Sequence, residues 1–173
     1  MKAKHLILFA TAIAALTITA CSSDDDDSSQ ATTIDNVDGK YVGTATGTMI
    51  LIDSNGNELP FDIVPNGDET ATITVNNDGT ISVLEPTFYS ASPVTYSADE
   101  KYAYPGAIVK GIRPVQDGDA LIFQLDGYSS MNGYYTVAGD IAGKFKGKNL
   151  TLDYTFLHAG GMIGTIHFEG IKK

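Results

Sequence analysis

Period-two alternation of apolar and polar residues is the feature that most constrains what this chain can fold into. Ala71, Ile73 and Val75 alternate with Thr70, Thr72 and Thr74, and Ile81 and Val83 with Thr80 and Ser82. Leu150, Leu152, Tyr154 and Phe156 alternate with Thr151, Asp153 and Thr155. Successive side chains of a strand point to opposite faces, so each run predicts a strand with one buried and one wet face. The runs are separated by Ser54, Asn55 and Gly56; Asn66, Gly67 and Asp68; Asn77, Asp78 and Gly79; Asp117, Gly118 and Asp119; and Lys146, Gly147 and Lys148. These residue types suit the tight turns of hairpins.

Reading from turn to turn predicts strands over 39–52, 58–64, 69–75, 80–84, 108–115, 120–125, 135–144, 150–156 and 162–172. No stretch beyond the N-terminal segment has a helical period, and 89–104 leaves room for no more than a turn. The expected fold is therefore all-β, a single antiparallel β-barrel of about eight or nine strands over residues 34–173. That length suits one domain with a sizeable core. The first and last strands are the longest. Pairing them in a closed barrel would remove the edges that invite aggregation.

Residues 1–20 read differently. Lys2, Lys4 and His5 precede an apolar stretch from Leu6 to Leu16 and then small residues, the layout of a secretory signal peptide. The apolar stretch falls short of the roughly 20 residues needed to span a bilayer. Ile18, Thr19, Ala20 and Cys21 resemble the bacterial lipobox, in which a branched residue and two small ones precede an obligatory Cys. The resemblance implies lipidation of Cys21, acylation of the mature N-terminus and attachment to a membrane through that lipid, for which two or more acyl chains are sufficient. Cys21 is the single cysteine of the chain, so it leaves no partner for a disulfide.

Residues 21–33 hold the run Ser22, Ser23, Asp24, Asp25, Asp26, Asp27, Ser28 and Ser29, which repels itself and buries nothing apolar. It is expected to be a disordered acidic tether. A Cys followed by Ser and poly-Asp is similar to the surface-export signal of some Gram-negative lipoproteins, which implies an outer-membrane location facing the cell exterior. Without Lys2 and Lys4 the chain has nine basic and 21 acidic residues. Nucleic acid is excluded as a partner on this balance, because affinity there rests on neutralising phosphates.

Gly39, Lys40, Tyr41, Val42 and Gly43, then a long strand meander, then residues 150–156 and a final Gly164, Thr165, Ile166, His167, Phe168, Glu169 and Gly170 resemble the calycin-like, or lipocalin-like, β-barrel domains. The resemblance covers about residues 37–172 and implies a small-ligand binder. It departs from true lipocalins in having no Trp.

Tyr41, Gly43, Ala45, Gly47 and Met49 share one face of the first strand. Turned inward, Tyr41, Gly43 and Gly47 would leave room for one small ligand; alternatively the glycines permit sharp bending or lie under large neighbours. Tyr89, Tyr96, Tyr102 and Tyr104 fall in the long segment 85–105, where a flat ring with a hydroxyl suits sugar stacking or a protein interface. Asp53, Asn55, Asn57 and Glu58 approximate a calcium loop, but the Gly is misplaced and Val64 stands where a bidentate Glu belongs. His158 and His167 lack companions with metal-ligand spacing, and no nucleophile motif is present, so neither a metal, a cofactor nor a catalytic activity is expected. The expected function is non-catalytic binding of a small apolar or glycan ligand at the cell surface. The alternative is an interaction subunit of an outer-membrane protein complex with no small-molecule ligand.

Overall fold

The computed structural model describes residues 31–91, 101–132, 135–158 and 161–173. Cys21, most of the acidic tether and Tyr96 lie outside the described residues. After a 3-10 turn at Ile34–Asn36 the chain forms β1 (Gly39–Ile52), β2 (Glu58–Asp62), β3 (Glu69–Val75), β4 (Ile81–Leu84), β5 (Phe88–Ala91), β6 (Lys101–Tyr104), β7 (Ile108–Ile112) and β8 (Val115–Asp117). The C-terminal part adds β9 (Ala120–Asn132), β10 (Tyr135–Lys146), β11 (Asn149–His158) and β12 (Met162–Lys172). The protein is all-β, as the alternation predicts.

One antiparallel sheet runs in the order β7-β4-β3-β1-β12-β11-β10-β9-β8 and curls into a half-barrel. β1 and β12 pair from Tyr41 with Lys172 to Leu51 with Met162, the pairing of first and last strands that the sequence suggests. The other edge of β1 is shared: β3 takes its first half and β2 its second. The two terminal strands of the path, β7 and β8, are separated in the chain by only Arg113 and Pro114, which forces the sheet to curl back on itself.

The buried face carries Tyr41, Ala45, Met49, Ile73, Ile81, Val83, Phe123, Ile141, Phe145, Leu152, Ile166 and Phe168. Tyr41 and Phe123 pack on Phe145 with ring centroids 5.8 and 5.4 Å apart. Near this end Thr32 is already buried, its N–H donating to the Asp119 carbonyl at 2.9 Å and its hydroxyl accepting from Gly147 N–H at 2.9 Å. At the other end the separate β5–β6 hairpin packs Phe88 against Phe156 at 5.4 Å. The half-barrel is thus plugged at both ends, by the N-terminal turn and by a hairpin.

Candidate functional site

Ile81 and Val83 point inward from β4, and Glu85, two residues further on, keeps the same parity and enters the core as a carboxyl group. The loop that follows holds it there. Glu85 N–H donates to the Ala107 carbonyl at 3.0 Å, and Ala107 N–H donates back to Glu85 Oε2 at 3.1 Å. Gly106 permits this approach, since a Cβ there would lie 1.8 Å from the Glu85 carbonyl oxygen.

Tyr128 supplies the second donor, its hydroxyl 2.6 Å from Glu85 Oε1. A β-bulge sets it in place. Between the pairs Leu125 with Ile141 and Tyr128 with Gly139, β9 contains one residue more than β10, and Gly127 takes the extra turn at φ 68°. The freed Gly127 N–H donates to Asp140 Oδ1 at 2.7 Å. The bulge flips the alternation, so that Leu121, Phe123 and then Tyr128 all face inward.

Burial raises the Glu85 carboxyl to about 7 against the pull of its two donors, Tyr128 and the Ala107 amide. Burial, then the nearby Glu85 charge, raises the Tyr128 phenol. Tyr154 is raised by burial and then by the charges of Glu85, Tyr128 and Glu69, which places it in the same interior region. Its hydroxyl is buried with no hydrogen-bond partner among the described residues, as is that of Ser90. A buried unpaired hydroxyl costs about 1–3 kcal/mol, so both reduce the stability of this interior.

Tyr128 also forms part of a groove of about 510 Å³ between β7 and β9. Val109 and Leu125 line it with Tyr128, while Ile108, Lys110, Ser129 and Met131 are its exposed members. Continuing the β8–β9 register of Val115 with Ile122 would set Ile108 opposite Ser129 in a closed ladder. The strands part instead. Pro114 has no N–H to donate, and Gly111 and Gly127, nearly opposite one another, both adopt positive φ of 74° and 68°. Across the gap the Ser130 hydroxyl donates to the Ile108 carbonyl at 2.7 Å.

The residues singled out from sequence are divided between the two ends of the half-barrel. Tyr41 is fully buried beside Phe145, its hydroxyl donating to the Val37 carbonyl at 3.0 Å, and burial, then the Asp38 charge, pushes it up to about 12. Gly43 and Gly47 face inward but against backbone: a Cβ would lie 1.8 Å from the Glu169 carbonyl at Gly43 and 2.1 Å from the Thr165 carbonyl at Gly47. At the opposite end Tyr104 stacks on Phe88 at 5.2 Å, Tyr102 pairs with Ser90, and the half-buried Tyr89 accepts Val64 N–H on its carbonyl at 2.8 Å. Gly47 reaches this hairpin through Ile63, whose N–H donates to the Gly47 carbonyl at 3.0 Å and which bridges to Ser90. Tyr41 packs on Phe145 and Tyr104 on Phe88, within one continuous apolar core. His167 lies on the outer face of β12, 2.7 Å from Asp153; its slight burial lowers its pKa, and the bonds to Asp153 and Glu169 outweigh this and raise it.

Glu85 and Tyr128 were not marked as site residues by the sequence. The signal for Glu85 was present: it is a carboxylate at the inward parity of a clean strand. Tyr128 was hidden by the bulge.

No family model and no curated protein matches the chain. Its fold is similar to the crystal structure of a "putative outer membrane protein" from Bacteroides fragilis, with a TM-score of 0.52 and 18% identity over 80% of this chain and 52% of that one. The chain spans about half the length of that protein, and at this identity the likeness is one of fold.

Proposed function

We propose that this chain is a lipid-anchored, non-catalytic binding protein of the outer membrane, held by Cys21 and facing the cell exterior, whose half-barrel takes a small ligand in the groove between β7 and β9. The observation that carries the binding reading is the groove itself. It is a gap in an otherwise paired sheet, about 510 Å³ in volume, reaching from exposed Ile108 and Met131 down to buried Val109 and Tyr128. That size and mostly apolar lining are usual for small-molecule sites. The anchor rests on Ile18, Thr19, Ala20 and Cys21, and the location on the acidic run behind them and the name of the B. fragilis protein of similar fold. A calycin-like ancestry is consistent with a curled meander whose first and last strands pair.

Native mass spectrometry of the mature lipoprotein, extracted in mild detergent from its own host, tests the reading. The expected spectrum contains a small molecule bound to the lipidated chain. An apo mass together with a co-purified protein would instead support the interaction subunit. That second reading is favoured by one observation, an apolar row on the outer face in which Ile163 pairs with both Ile50 and Leu157, and Ile50 in turn with Pro60. Leu157 is 53% and Ile163 41% exposed.

A further inference from the structure

The groove between β7 and β9 has one charged lining residue, Lys110, and its charge opposes the sign of the chain as a whole. Acidic residues outnumber basic ones by 21 to 11, yet Lys110 joins no salt bridge among the described residues and is exposed at the groove. Beside it lie the Ser129 and Ser130 positions of β9, and below it the apolar surface of Val109, Leu125 and the Tyr128 ring. The parity of β7 separates these two characters. Lys110 stands on its outer face with exposed Ile108, and buried Val109 and Tyr128 form the floor, so an occupant with one end at Lys110 extends its other end across exposed Met131 and half-buried Leu125.

Resting on the binding reading above, we infer that the groove is a site for an anionic amphiphile, a carboxylate or similar anion on an apolar chain, with the head at Lys110 and the chain over Val109, Leu125 and Met131. A charged hydrogen bond to the head fixes direction, and the chain contributes by leaving water. A neutral apolar molecule would gain only the second effect. A cationic one would meet Lys110 as a like charge.

Methyl NMR of the intact lipidated chain in nanodiscs, labelled at methionine, reads this directly. Met131 lines the groove, while Met49, fully buried in β1, serves as the internal control for an intact fold. Octanoate is expected to shift the Met131 resonance saturably and to bind about tenfold or more tightly than octanol, the return of one charged hydrogen bond. Lys110→Gln is expected to reduce octanoate to the level of octanol, to leave octanol unchanged and to leave the Met49 resonance in place. Equal binding of octanoate and octanol, or octanoate binding indifferent to Lys110→Gln, overturns the anionic class while leaving a small-ligand groove standing. No saturable Met131 shift with either probe removes the groove as a ligand site and takes the binding reading with it.

Discussion

Glu85 is the residue whose chemistry differs most from its surroundings. Only 4% exposed, it is met by the Tyr128 hydroxyl and the Ala107 amide and, among the described residues, by no cation, so the protonated carboxyl suits the fold better than the carboxylate. Its folded value of about 7 lies above the ordinary 4.5. Between those values the folded chain keeps a proton that the unfolded chain has released, so stability is full below about pH 4.5, falls as pH rises, and levels off above about 7. The whole effect is about 3 kcal/mol. Urea unfolding at pH 5 and pH 8 should show this loss, and Glu85→Gln, which cannot ionise, should flatten it. A wild-type slope that survives in Glu85→Gln would assign the pH dependence to other groups. The parity of Ile81, Val83 and Glu85 carries the signal, yet the strand read from the sequence ends at 84 and leaves Glu85 in the segment 85–105. What it would bond to was not legible, because its partner sits 43 positions away, on the far side of a bulge.

At the scale of elements, the close crossing of β1 and β12 depends on residues without side chains. A Cβ at Gly43 would lie 1.8 Å from the Glu169 carbonyl oxygen and 2.5 Å from Gly170 Cα, both backbone atoms that cannot swing aside. Gly43→Ala should therefore cost about 3 kcal/mol, the upper part of the range for overpacking. Thr46→Ala, on the exposed face of the same strand, should stay within about 0.5 kcal/mol. Thermal melts of the two variants check the contrast, and similar melting points would mean that the strands separate freely. β1, β3 and β12 were legible to the residue, because each keeps one parity from end to end and is closed by turn chemistry. β9 was read only to Leu125, where the Gly127 bulge reverses the pattern; the strand continues to Asn132. The run read as one strand over 108–115 is split by Arg113 and Pro114 into β7 and β8, and that break opens the groove. β5 and β6 were missed because four-residue strands near Pro86 and Pro105 are too short to show a period.

For the whole molecule, what matters is which side of the curled sheet is apolar. The inside carries Tyr41, Met49, Phe145, Leu152, Ile166 and Phe168, and the outside presents Thr46, Lys144, Asp153, Thr165 and Glu169 to solvent. A barrel that crosses a bilayer needs the opposite arrangement, an apolar band outward and a polar lumen. Among the described residues no helix is long and apolar enough to cross a membrane either. On the proposed reading, attachment falls to the lipid at Cys21, and the domain should be indifferent to its loss. Cys21→Ser in the full chain is expected to move the protein from the membrane fraction to the soluble fraction, with the melting temperature of the domain unchanged. The packing supports the second half of that expectation: Thr32, eleven positions after the Cys, is held by bonds to Asp119 and Gly147 that do not involve the anchor. Persistence of the Cys21→Ser chain in carbonate-washed membranes would transfer the attachment to the domain itself, and the outer row of half-buried Ile50 with exposed Leu157 and Ile163 would then be the surface to substitute next.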